Sequence, residues 1–143
     1  MTALSTPTES SERTTSWVST LTASASLVVG VFLVMGGYGH LNAVIPIWLA
    51  QDQSFGISSL VLLATGGVLL LPGVINLVTC WWIWRRRKWA FVLSLAATSA
   101  SFLYLAYLLI TGVPGHPIVF FAVLIGAYLA LLVYAWSNLP GKT

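Results

Sequence analysis

Of the 143 residues in this chain, 58% are hydrophobic, six are basic and three acidic, leaving a formal charge of +3. An average soluble domain carries about 25% charged residues. With only 6%, the chain must set most of its surface against lipid or other apolar protein, so a soluble globule is excluded. The lone cysteine, Cys80, rules out an intramolecular disulfide and a thiolate metal cluster.

Residues 1–20, MTALSTPTESSERTTSWVST, are mostly Ser and Thr without apolar periodicity and read as a disordered cytoplasmic tail. A secretory leader needs a basic start. Here Glu9 and Glu12 precede Arg13, so no processing is expected there. Four apolar stretches follow, Leu21–Ile47, Ser58–Trp84, Trp89–Thr111 and Pro117–Trp136, and none contains Asp, Glu, Lys or Arg. About 20 apolar residues cross a hydrocarbon core of roughly 30 Å. At such lengths only helices satisfy their own backbone in lipid, and the alternating short segments of a β-barrel are absent. The expected fold is an all-α integral membrane bundle of four transmembrane helices spanning residues 21–137, with a short C-terminus at 138–143.

The connections QDQSFGIS, RRRK and TGVPGHP are short enough to force an up-down-up-down order. Arg85, Arg86, Arg87 and Lys88 hold four of the six cations. A basic run can mark nucleic-acid binding. Between two membrane-length segments it reads as a topology signal touching anionic lipid headgroups, with no nucleic-acid partner. The positive-inside rule then places that loop, and both termini, in the cytoplasm. Trp17, Trp81, Trp82, Trp84, Trp89 and Trp136 fall at the cytoplasmic boundaries and Trp48 at the outer one, as interfacial indoles should. The Ala/Val/Leu/Gly-rich, Lys-poor composition suggests a high-GC bacterial source, hence the plasma (inner) membrane.

Membrane helices associate through small residues and polar pairs. Ala122, Gly126 and Ala130 recur every fourth position in the fourth segment, followed by Tyr134. The first has Ser26 and Gly30, then Gly36, Gly37 and Gly39. The third has Ala90, Ser94 and Thr98, with Ala97 and Ser101 on an adjoining row. In the second, Pro72 withdraws a donor from the Val68 carbonyl and predicts a kink beside Gly73, Gly66 and Gly67. Thr65, Pro72, Asn76 and Thr79 share one face. An unpaired amide is costly in hydrocarbon, so Asn76 should point into the bundle or into a partner. The small-residue faces serve either bundle closure or the docking of another protein.

His40 in the Gly-rich GGYGHLN run, His116 and Asp52 all belong to the outer side. Two imidazoles and a carboxylate can ligate zinc, copper or iron, and His40 could also serve a haem or a quinone. No spacing motif links the three, and the plainer reading is an interfacial imidazole and a loop residue. No metal or cofactor is assigned. Asn76 at the Pro72 kink could line a substrate path, although no intramembrane charge is present to couple transport. Tyr104, Tyr107, Tyr128 and Tyr134 could form a ligand pocket or simply pack. Cys80 is a candidate for S-acylation or an inert thiol. There is no GxSxG, phosphate loop, HExxH, paired carboxylate or CxxC, so catalysis is not expected. The Gly-rich end of the first helix running into His40 and Pro46 resembles DoxX-type proteins over that short stretch. The other helices carry no matching motif, and no site or activity is transferred.

The leading functional expectation is a non-catalytic accessory subunit of a larger membrane assembly, partnered by lipids and by larger subunits or by itself. A homo-oligomeric transporter or channel for a neutral or lipid-like substrate is the alternative. A metal- or quinone-linked redox role for His40 is the second alternative.

Overall fold

The computed structural model describes residues 8–49, 57–111 and 116–138. Among them are four α-helices and no strand: α1 (Thr8–Leu49), α2 (Ile57–Trp84), α3 (Lys88–Ile110) and α4 (His116–Ser137). Each contains a stretch long and apolar enough to cross a membrane: Ser16–Pro46, Leu60–Trp84, Lys88–Ile110 and Ile118–Ser137. Asp52, most of the first and third connections, the first seven residues and the last five lie outside the described residues.

The bounds of α2, α3 and α4 fall within one residue of those drawn from hydropathy, but α1 starts at Thr8 rather than Leu21. Around the expected boundary its hydroxyls turn back onto the helix. Ser19 and Thr20 both donate to the Ser16 carbonyl, at 2.9 and 3.0 Å, and Thr22 donates to that of Val18 at 2.7 Å. A Ser/Thr run whose hydroxyls bond back onto their own helix no longer competes with helical structure. It can also be buried, as Ser19 and Thr22 are.

α1 packs on α2, α2 on α3, α3 on α4, and α4 returns to α1, while among the described residues neither diagonal pair brings its backbones close together. Buried positions step alternately by three and four. In α1 they include Ser19, Thr22, Ser26, Val29 and Leu33, with Gly30 and Gly37 beside them; in α2 Thr65, Leu69, Pro72, Asn76, Thr79 and Ile83, with Gly66 and Gly73 beside them. α3 continues the pattern with Phe91, Ser94, Thr98, Ser101, Leu105 and Leu108, and α4 with Ile125, Tyr128, Leu132 and Ala135. This 3.5-residue repeat keeps one narrow seam of each helix facing its neighbours, as in left-handed bundles. The remaining surface is apolar, with Leu71, Val78, Leu103, Ile110 and Val123 all more than half exposed. An apolar exterior around a seam rich in Ser, Thr and Asn suits a hydrocarbon solvent.

The α1/α2 contact is the closest. A methyl group built on Gly30 would lie 3.1 Å from the Gly73 carbonyl oxygen, and one on Gly73 would lie 3.0 Å from that of Gly30. Gly37 and Gly66 repeat the arrangement at 2.8 and 3.1 Å. A step of seven in one helix is matched by a step of seven backwards in the other, so the two run antiparallel with backbones nearly touching. Only glycine allows that approach.

α2 passes into α3 through a Schellman turn. The Arg87 N–H bonds the Trp82 carbonyl at 3.0 Å and the Arg86 N–H that of Ile83 at 2.9 Å. Arg86 occupies the left-handed position, with φ 56°, where glycine usually sits.

Candidate functional site

Two places gather the chemically distinctive side chains. The first is a polar seam at the centre of the bundle. Asn76 is fully buried. Its amide nitrogen donates to Thr98 Oγ1 at 3.0 Å, and its side-chain oxygen accepts from Ser94 Oγ. Ser94 Oγ in turn meets the Tyr128 hydroxyl at 2.9 Å. From α1, Ser26 Oγ donates to the Asn76 backbone carbonyl at 3.0 Å. One asparagine thus joins all four helices through a continuous set of hydrogen bonds.

Two further bonds extend the seam between α2 and α3. The Val68 carbonyl, deprived of its helical partner by Pro72, accepts from Ser101 Oγ at 2.8 Å. Nearer the start of α2, Thr65 Oγ1 and the Tyr104 hydroxyl lie 2.6 Å apart. Among the described residues no buried side-chain nitrogen or oxygen lacks a partner. Such a network gives the helices one preferred arrangement, because any sliding strands polar groups in an apolar medium.

The residues marked from sequence for packing or partner contact divide between these roles. Ser26, Gly30, Gly37, Asn76, Ser94 and Thr98 are buried within the bundle. Gly36 and Gly126 are half-buried, Gly36 against Phe121 of α4 and Gly126 against Phe102 of α3. Ala122 is also half-buried, and only Ala130 is exposed. The α4 stripe therefore turns progressively outward. The four tyrosines do not converge: Tyr104 and Tyr128 point inward, while Tyr107 and Tyr134 are more than half exposed. His40 is half-buried on α1. Asp52 and the His116 side chain lie outside the described residues. Among the described residues no three His, Cys, Asp or Glu side chains gather as a metal site.

The second place is the end of the bundle formed by the α2–α3 turn. Trp81 and Trp84 rings lie 5.0 Å apart, and Trp82 and Trp89 5.6 Å apart. The Arg85 guanidinium carbon sits 4.8 Å from the centre of the Trp81 ring, a cation–π contact. Beside it a shallow groove of about 320 Å³ runs between α1 and α2, lined by Thr20, Ala23, Ser24, Leu27, Cys80, Trp81 and Trp84. Cys80 Sγ contacts the Leu77 carbonyl at 2.9 Å. The groove was invisible in the sequence because its α1 wall belongs to the segment bordering the presumed tail.

These features define a multi-pass helical membrane protein with a hydrogen-bonded interior. Comparison with protein-family models, with curated proteins and with solved structures finds no match to this chain.

Proposed function

We propose that the chain is a non-catalytic accessory or assembly subunit of a larger membrane complex, resident in a bacterial plasma (inner) membrane. In this reading its order is up-down-up-down, with both termini and the Arg85–Lys88 turn in the cytoplasm. The observation that carries it is the Asn76 network. Its polar atoms are engaged with one another across all four helices, which suits a fixed scaffold. A solute path through this bundle would require Asn76 to give up Ser94 and Thr98. The cations and paired indoles at one end support the cytoplasmic assignment of that end.

The bundle uses most of its small-residue contacts internally, so a partner would meet the outer apolar faces rather than the glycine pairs. The test is a gentle-detergent pull-down at native expression level with native mass measurement. Recovery in a defined complex with larger membrane proteins is the expected result. Recovery as a lone monomer or a symmetric homo-oligomer would reject the accessory role and make vesicle transport assays the next step.

A further inference from the structure

The α1/α2 groove shares its Trp81 wall with a cation that is already held in place. Its floor and walls are largely apolar, from Ala23, Leu27, Cys80, Trp81 and Trp84. Its volume of about 320 Å³ is at the lower end of small-ligand pockets, roughly 300–1,000 Å³. At its rim, Trp81 is shared between the groove and the Arg85 guanidinium. An apolar furrow with a guanidinium stacked on one of its wall residues matches an amphiphile with an acyl chain and an anionic head. Arginine is suited to phosphate because its planar fork donates two parallel hydrogen bonds. The stacking contact reduces the side-chain freedom lost on binding. The groove also lies at the bundle end bearing Arg86, Arg87 and Lys88, where an anionic headgroup gains further favourable charge.

We propose that this groove binds one anionic phospholipid, its acyl chain lying along Ala23, Leu27 and Cys80 and its phosphate on Arg85. This assigns a discrete, saturable site, distinct from the general attraction of a basic loop for a charged leaflet, and it does not depend on the accessory-subunit reading.

The full chain, purified in mild detergent, is titrated with phosphatidylglycerol or phosphatidylcholine of identical acyl chains and followed by native mass spectrometry. One phosphatidylglycerol adduct is expected, retained in preference to phosphatidylcholine. Arg85→Gln should weaken it about fivefold to tenfold, the value of one phosphate-bound cation near a membrane surface. Ser24→Trp starts from an exposed groove residue, keeps every charge and fills the furrow, and should weaken it as much. Arg87→Gln alters an exposed cation without the Trp81 stacking that ties Arg85 to the groove wall, and should weaken it by clearly less than Arg85→Gln does. Thermal melting of each variant by circular dichroism verifies that the bundle is intact. Equal retention of both lipids by the unaltered chain would overturn the proposal. So would a loss in Arg87→Gln equal to that in Arg85→Gln, or an undiminished adduct in Ser24→Trp.

Discussion

Asn76 and Arg86 are the two residues whose surroundings constrain them most. Replacing Asn76 with leucine leaves Ser94 and Thr98 without their shared partner. Interhelical hydrogen bonds in membranes average about 0.6 kcal/mol each and reach about 1.7, so Asn76→Leu should cost about 1–2 kcal/mol. Ser26→Ala, which removes the bond to the Asn76 backbone carbonyl but leaves the Asn76 side chain paired, should cost less. Unfolding in mixed micelles titrated with a denaturing detergent measures both, and equal losses would place the seam's strength elsewhere. Arg86 holds φ at 56°, a region costing about 1–2 kcal/mol for a residue with a Cβ. Arg86→Gly should therefore stabilise the protein by about 1 kcal/mol in the same assay. The need for Asn76 to find partners was legible in the sequence, since an amide among apolar residues has few alternatives. The strain at Arg86 was not, because RRRK reads as charge, and nothing in composition shows which arginine takes the glycine-like position.

At the scale of the helix, glycine carries opposite meanings a few residues apart. A methyl on Gly37 would sit 2.6 Å from the Leu70 backbone nitrogen, whereas one on Gly39 would meet nothing within 4 Å. Gly37→Ala must push α1 from α2 and should cost about 1–3 kcal/mol, the usual range for overpacking. Gly39→Ala should add up to about 1 kcal/mol through helix propensity. A denaturation series showing the same sign for both would contradict the close α1/α2 approach. The kink in α2 offers a second comparison. Ser101→Ala leaves the Val68 carbonyl unpartnered and should cost about 1 kcal/mol. In a Pro72→Ala background, position 72 regains its N–H and the same change should cost markedly less, a coupling that a double-mutant cycle reads directly. Pro72 announced the orphaned carbonyl in the sequence. Its partner was hidden, because pairing Ser101 with Val68 requires the α2/α3 register, which no local pattern encodes.

For the molecule as a whole, hydropathy located all four spans, because lipid demands long uncharged helices whatever their neighbours. It missed the start of α1, where the Ser/Thr-rich sequence reads as polar, although Ser19, Thr20 and Thr22 farther along bond back onto their own helix. With 42 residues, α1 is about 63 Å long at 1.5 Å per residue, roughly twice the hydrocarbon thickness. Its apolar stretch starts only at Ser16, so the turns from Thr8 extend beyond the membrane at the N-terminal side of the helix. The proposed orientation makes that side cytoplasmic. In a Cys80→Ser background, single cysteines placed at Ser16 and at Ser137 should both be shielded from an impermeant thiol reagent in intact cells and react after permeabilisation. Labelling of either in intact cells would reverse the orientation.

A helix that long has no depth of its own: many stretches of α1 are apolar enough to occupy the bilayer. The paired glycines remove the freedom. Sliding α1 along α2 by one turn sets Gly30 and Gly37 against side chains instead of Gly73 and Gly66, and only a shift of seven residues would match even one pair again. α2, tied to α3 by a turn too tight to move, therefore acts as a ruler against which α1 is measured. How far the start of α1 reaches from the membrane is then set by two glycines on a different helix rather than by the hydrophobicity of α1 itself.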